Sequence, residues 1–82
     1  SWIKELYICE SIIDALTLWT YRIPAVAIMG ALPTNHQIQL LSKVPVRKFV
    51  IALDNPLLDK AGREGSERLG NNLSRYKLVN YL

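Results

Sequence analysis

An α/β fold with a parallel sheet is the fold class that this sequence predicts, and three observations predict it. Short apolar runs alternate with helical stretches along the 82 residues. The apolar runs are continuous, as in strands that are covered on both faces. A helical stretch separates each run from the next, which is typical of strands that pair in parallel through right-handed crossovers. We therefore predict a four-stranded parallel sheet flanked by helices.

The first unit is a strand followed by an amphipathic helix. Residues 5–9, ELYIC, have strand character and predict β1. Ser11 is a natural N-cap, so a helix α1 is predicted at 11–21. The apolar positions of this helix recur at helical spacing: Ile12, Ile13, Leu16 and Trp19.

The second unit follows Pro24. The apolar run AVAIM predicts β2 at 25–29. Thr34 and Gln37 have the spacing of a capping box, so a second helix, α2, is predicted at 34–44, and a proline ends it.

A third unit and a final strand complete the pattern. The run KFVIAL predicts β3 at 48–53. A helical stretch predicts α3 at 61–74, and Gly65 and Gly70 within it each weaken it by about 1 kcal/mol relative to alanine. The run KLVNYL predicts β4 at 77–82. One domain over 1–82 is expected.

Composition limits the classes of protein to which the chain can belong. Half of the residues are apolar, which argues against disorder. No apolar run is long enough to span a membrane, and SWIKELYICE at the start is not typical of a signal peptide. The single cysteine excludes an internal disulfide and fits a reducing cytoplasm. A net charge of +3 is a weak indication of a phosphate-bearing partner.

Three residues follow predicted strands at the edge where open α/β sheets bind ligands. Glu10 follows β1, Gly30 closes β2 and Asp54 follows β3. If the strand order is 2-1-3-4, Glu10 and Asp54 project into one crevice, where two carboxylates repel unless they share a cation or a proton. Because carboxylate oxygens are hard ligands, Mg²⁺ is the expected ion, with Mn²⁺ as its substitute.

Each acidic residue also has a structural explanation. Glu10 would stabilise the positive end of the α1 dipole. Asp14 stands three residues after Ser11, close to the spacing of a capping box. Asp54 would form an Asx turn as the chain leaves β3. Asp59 would cap α3.

The basic residues concentrate in the last quarter of the chain. From position 60 onward there are five basic residues against two acidic ones, and the basic ones are Lys60, Arg63, Arg68, Arg75 and Lys77. They form either a solvated helix face with Arg–Glu pairs or a surface that contacts phosphates.

Other residues that chemistry often uses have ordinary structural roles as their simplest explanation. His36 is expected at the surface and Cys9 is expected as a small buried residue. Trp2 and Trp19 are expected to pack at the core or its edge rather than to stack on bases.

Three segments together resemble the TOPRIM domain, a Rossmann-like fold of primases, topoisomerases and some nucleases and recombination proteins. The segments are ICESIIDAL at 8–16, AIMGAL at 27–32 with Gln37, and VIALDN…DKAG at 50–62. They occur in the family's order, and bacterial-type DNA primases are the branch that they resemble most.

The resemblance implies a role for each matching residue. Glu10 matches a glutamate that acts as general acid or base in nucleotidyl transfer, and Asp54 matches a Mg²⁺ ligand. Asp14 matches an acidic residue of the primase branch. Gly30 matches the glycine after the second strand, and Gly62 matches a glycine that allows a tight turn beside the metal.

Two departures from the family pattern concern the metal site. Ser11 replaces a glycine, which a helix start tolerates. Pro56 occupies the second acidic position of the family's Asp-x-Asp, where carboxylates two residues apart lie on the same side of an extended chain. Asp59 remains a metal ligand if residues 56–58 form a compact outward loop.

A catalytic primase core is the first functional hypothesis. It would make RNA primers on a single-stranded DNA template from nucleoside triphosphates during replication, with a replicative helicase as a partner, in the cytoplasm. Lys60, Arg63 and Arg68 would contact nucleic acid or nucleotide phosphates. The chain is expected to be a fragment of a longer protein, with weak or no activity by itself.

Two alternatives stay open. A non-catalytic TOPRIM module that binds nucleic acid or a partner in recombination or repair would explain the proline at 56. A TOPRIM nuclease would share the metal site. A generic nucleotide-binding domain lacks support because there is no glycine-rich phosphate loop.

Overall fold

A computed structural model describes residues 3–28, 34–53, 60–75 and 77–82, with residues 60–63 described by their backbone alone. Four strands alternate with three helices, as the sequence predicts. The elements in chain order are β1 Ile3–Cys9, α1 Ile12–Thr20, β2 Ala25–Ala27, α2 Asn35–Ser42, β3 Val46–Ala52, α3 Lys60–Leu73 and β4 Leu78–Tyr81.

Two strands begin two residues earlier than their apolar runs predict. β1 and β3 pair from Ile3 and Val46 onward, through the charged positions that precede each apolar run. The backbone ladder determines where these strands begin, because its hydrogen bonds do not require apolar side chains. β2 is shorter than predicted, since its pairing with β1 ends at Ala27.

The sheet is parallel and has the strand order β2-β1-β3-β4. β1 is central and pairs with both β2 and β3. Tyr7 lies opposite Ala25 on one side and Val50 on the other. This order places the strand ends that precede Glu10 and Asp54 next to each other.

One face of the sheet carries the main core, to which α2 and α3 contribute. This core contains Phe49 of β3, which is fully buried, with Ile51 of the same strand and Ile8 of the neighbouring β1. The helices contribute Ile38, Leu41, Leu69 and Leu73. Burial of each such side chain contributes about 1.5–3 kcal/mol, so this face supplies most of the hydrophobic stabilisation.

The other face of the sheet is covered by α1 through small residues. Ala15 packs with Cys9 and Ala25, and Leu18 lies at the edge of this cluster. In contrast, the apolar residues that predict α1 are largely exposed: Ile12, Ile13, Leu16 and Trp19. The spacing predicts the helix correctly, but it does not identify the face by which α1 packs. The short side chain of Ala15 allows the closest approach to the sheet, and this decides the packing.

The helix starts follow the predicted capping chemistry. Thr34 and Gln37 form a complete capping box, with the Thr34 hydroxyl accepting from the Gln37 N–H and the Gln37 side chain accepting from the Thr34 N–H. At α1, the Ser11 hydroxyl accepts from the Asp14 N–H at 3.2 Å. These contacts satisfy backbone donors that the first turn leaves unpaired.

No helix in the described ranges is long and apolar enough to cross a lipid bilayer.

Candidate functional site

The carboxyl ends of β1 and β3 meet at one edge of the sheet. Cys9 and Ala52 are register partners, and they are the last residues of their strands. Glu10, which is half-buried, follows directly. Asp54 follows Ala52 by two positions and lies outside the described residues, as do Asp59 and Gly30. The topology thus brings the strand ends that precede the two predicted carboxylates next to each other.

A hollow of about 290 Å³ opens at this edge on the α1 side of the sheet. Its walls come from α1, from the ends of the two central strands and from the end of the chain: Cys9, Asp14, Thr17, Leu18, Ala52 and Leu82. Asp14 is therefore both next to the strand ends and part of the first turn of α1. The backbone N–H of Asp14 donates to the Ser11 hydroxyl, which explains why the two residues have the spacing of a cap. Asp14 also lines the hollow.

Cys9 is buried at the floor of this hollow, as the sequence predicts. Burial raises the pKa of the Cys9 thiol above its ordinary value, and the negative charge of Asp14 raises it further. The thiol is therefore held protonated, which is the opposite of the environment that activates a nucleophilic cysteine. Cys9 functions as a core residue.

The predicted basic residues of α3 are only partly described. Lys60 and Arg63 lie on the helical backbone at the start of α3, with side chains outside the described part, and Gly62 lies in the same helical turn. Arg68 is exposed, and its guanidinium donates a hydrogen bond to the Asn35 side-chain oxygen at the start of α2. The helix thus contacts its neighbour through a basic residue that the sequence singles out.

The donor chemistry at the strand ends fits a hard divalent cation. Glu10 and Asp14 supply carboxylate oxygens on or beside the described edge, and such oxygens are the ligands that Mg²⁺ prefers. Within the described ranges, no group of three or more His, Cys, Asp or Glu side chains is arranged to hold a metal.

Sequence reasoning missed the polar residues between α2 and α3. Asn35, Asn72 and Arg75 line a groove there, together with residues from the outer side of α2. The only local signal was the regular spacing of Arg68 and Asn72 on α3 and of Arg75 just after it. Their partners on α2 are more than 25 residues away in sequence, so the tertiary structure alone reveals the groove.

Comparison with known proteins identifies the family. The Toprim-like family model matches residues 7–81, from β1 to the end of β4. Searches of curated protein sequences and of solved structures give no significant match. Toprim domains typically bind Mg²⁺ and are found in primases, nucleases and topoisomerases, so the match indicates a metal-dependent function related to nucleic acids. The family match covers nearly the whole chain and agrees with the observed four-stranded parallel sheet, and the chain therefore belongs to the Toprim-like family.

Proposed function

We propose that this chain is the catalytic core of a primase-like protein, which joins nucleotides in a Mg²⁺-dependent reaction on a single-stranded DNA template. The observation that carries the proposal is the pairing of Cys9 with Ala52 at the carboxyl ends of adjacent strands. This pairing supports placing Glu10 and Asp54 just after neighbouring strand ends, where their carboxylates would face the same crevice.

The acidic residues of the chain would have two roles: to hold the ion and to move a proton. Asp54 would hold Mg²⁺, with Asp59 as a second ligand and Glu10 close by. Glu10 would also accept the proton of the attacking hydroxyl, as a general base. A divalent cation bound here would neutralise phosphate charge and align the attacking and leaving oxygens. Asp14, at the rim of the hollow, would orient this set of acidic residues.

The basic residues at the start of α3 would contact the substrate phosphates. Lys60 and Arg63 belong to the first turn of α3, and this helix follows β3 at the same edge of the sheet. Helix N-termini attract anions because their backbone N–H groups and dipole favour negative charge. A positively charged first turn would add to this attraction and position a triphosphate or template strand beside Glu10.

A non-catalytic nucleic-acid-binding module is the second candidate, and Pro56 is the observation that favours it. Proline has no side chain that could ligate a metal, and it occupies the position where a second carboxylate would stand two residues after Asp54. A chain with one carboxylate fewer would bind the cation weakly and retain only its interaction with nucleic acid or a partner.

Metal titration followed by NMR tests the proposal at the site itself. Mn²⁺ added to the chain should broaden the amide signals of Glu10 and its neighbours Cys9 and Ser11, because a paramagnetic ion relaxes nearby nuclei. Glu10→Gln and Asp54→Asn should each raise the Mn²⁺ concentration that is needed for this broadening at least tenfold, since each removes a charged ligand. Glu5→Gln is the matched control. Glu5 lies on the same strand, about 16 Å further from the edge, and pairs with Lys48.

Product analysis with the full-length protein separates the catalytic alternatives. Short RNA products on single-stranded DNA that require Glu10 and Asp54 would support a primase. Shortened DNA without new RNA would indicate a nuclease instead. Unchanged priming after Asp54→Ala would refute the catalytic role of this site. DNA binding without any broadening by Mn²⁺ would favour the non-catalytic module.

A further inference from the structure

The outer surface between α2 and α3 forms a polar groove, which we call the α2–α3 seam. Six polar residues define it, three from α2, two from α3 and one from the turn after α3: Asn35, Gln39, Ser42, Arg68, Asn72 and Arg75. Five of them line a groove of about 210 Å³, and Arg68 reaches into the same region through its bond to Asn35. Ile38, a residue of the main core, also lines this groove, so the seam borders that core.

The two segments contribute to the seam at identical spacing in sequence. On α2 the positions are i, i+4 and i+7 from residue 35; the second set has the same spacing from residue 68, with Arg75 in the turn after α3. This spacing places the three α2 residues along one face of α2, and Arg68 with Asn72 along one face of α3. Ile38 and Leu41 are buried in the core, and Ile38 also borders the groove. The groove is therefore lined by polar side chains and one apolar core residue.

Hydrogen bonds hold several seam side chains in place. Asn72 donates from its side-chain nitrogen to the Arg68 carbonyl at 2.7 Å. The Ser42 hydroxyl donates to the Gln39 carbonyl at 2.7 Å. Arg68 donates to the Asn35 side chain across the seam. Ordering these groups before a ligand arrives lowers the entropic cost of binding.

The charge of the seam is positive. Two of its six residues are arginines, and none of the six is a carboxylate. Arginine binds phosphate through two parallel N–H donors, and asparagine, glutamine and serine side chains also donate to phosphate oxygens.

We propose that the α2–α3 seam binds the sugar–phosphate backbone of a nucleic-acid strand, away from the carboxyl edge of the sheet. This inference rests on the proposed function in that the ligand is a nucleic acid, but it needs no metal and no catalytic residue. The seam would hold a strand by its phosphates and contribute no base specificity, because it offers arginine and amide donors on a shallow surface.

Fluorescence anisotropy with a labelled single-stranded DNA or RNA oligonucleotide tests the seam without Mg²⁺. Arg75→Gln should weaken binding about tenfold, since a charge-assisted phosphate contact is worth about 1.5 kcal/mol or more. The slope of log affinity against log salt should become shallower by about 0.7 to 1. Arg75→Lys should retain part of the affinity because it keeps the charge but loses the paired donors.

A second variant tests the seam from its other helix. Gln39→Glu conserves size and places a negative charge between Arg68 and Arg75, so it should weaken binding at least as much as Arg75→Gln. Both positions are exposed, which limits effects on folding. Arg22→Gln is the matched control: it removes one positive charge from an exposed residue after α1, on the opposite face of the sheet.

The outcomes separate the seam from the proposed function. If Arg75→Gln and Gln39→Glu leave oligonucleotide affinity unchanged, the proposal that the seam binds nucleic acid is wrong. Mn²⁺ broadening at Glu10 would then still support the catalytic proposal. An equal loss of affinity in the Arg22→Gln variant would also contradict the seam proposal, because net charge alone would then explain binding. Absence of binding to any oligonucleotide by the wild-type chain would overturn both the seam and the nucleic-acid substrate.

Discussion

Cys9 and Ala52 are paired residues at the carboxyl ends of two adjacent parallel strands. Each is the last residue of its strand, and an acidic residue follows within two positions in both cases. Cys9 is also buried beneath a hollow that Asp14 helps to line. At this strand pair, the protonated thiol of a core residue therefore lies next to the edge of the sheet at which we propose a metal site.

The pH dependence of stability should depend on Cys9. Its pKa is raised in the folded chain, so the folded state keeps the thiol proton above pH 9.0, where the unfolded thiol loses it. The stabilisation from the neutral buried thiol is therefore complete below that pH, and it is lost as pH rises through the folded pKa. Urea unfolding of the wild type should show a steeper loss of stability above about pH 9 than unfolding of Cys9→Ala.

The comparison with Cys9→Ala isolates this thiol from tyrosines and lysines, which titrate in both proteins. The alanine variant is expected to be less stable at every pH because it leaves a small cavity, so only the difference in slope is informative. Alkylation by iodoacetamide gives an independent measurement. It should be slow at pH 8 and become fast in urea; rapid alkylation of the folded chain would contradict the assignment of Cys9 as a buried core residue.

Gly70 and Tyr81 should be energetically coupled. The Tyr81 ring crosses α3 at Gly70, and a Cβ at position 70 would lie 2.7 Å from Tyr81 Cζ and closer still to its hydroxyl. Gly70→Ala should therefore destabilise the wild type by displacing the ring, by about 1–2 kcal/mol. In a Tyr81→Ala background the same substitution should stabilise by about 1 kcal/mol, since alanine favours a helix more than glycine does.

Thermal or urea unfolding of the two single variants and the double variant measures the coupling. A coupling free energy of at least about 1 kcal/mol is expected for residues in contact. Gly65 offers a second glycine in the same helix for comparison, and its substitution should not depend on Tyr81. Additive effects of Gly70→Ala and Tyr81→Ala would show that the ring does not pack on this glycine in solution.

Arg22 should carry local backbone strain that glycine would relieve. Its φ is 61°, in the left-handed region, where it follows the end of α1. The N–H groups of Arg22 and Ile23 bond back to the carbonyls of Trp19 and Leu18, which is the pattern of a Schellman motif. Glycine is the residue that this position favours, so Arg22→Gly should raise the free energy of unfolding by about 0.5–1 kcal/mol.

Arg22→Ala is the control for the lost side chain. Alanine has the same steric cost in the left-handed region as arginine. The free energy of unfolding of Arg22→Ala should therefore stay within about 0.5 kcal/mol of the wild-type value. Equal stabilisation by alanine and glycine would assign the effect to the arginine side chain rather than to the backbone. Chemical unfolding followed by far-UV circular dichroism is sufficient for this comparison.

The sequence by itself determined the order of the elements, because continuous apolar runs and capping residues are local signals. Thr34 with Gln37 predicts the start of α2 correctly, and the apolar run that ends at Leu53 predicts β3. The family motif around Glu10 is equally local, since the residues that carry it are consecutive in the chain. These features depend on interactions over a few residues, which a single sequence displays directly.

Only the tertiary structure decided which faces pack and which residues from distant segments meet. The apolar stripe of α1 contains Leu16 and Trp19, yet the helix packs through Ala15 because that side chain permits close approach to the sheet. Arg68 meets Asn35 because two helices cover the same face of the sheet. Local periodicity does not specify such contacts, because they depend on strand order and on the space between elements that the whole fold defines.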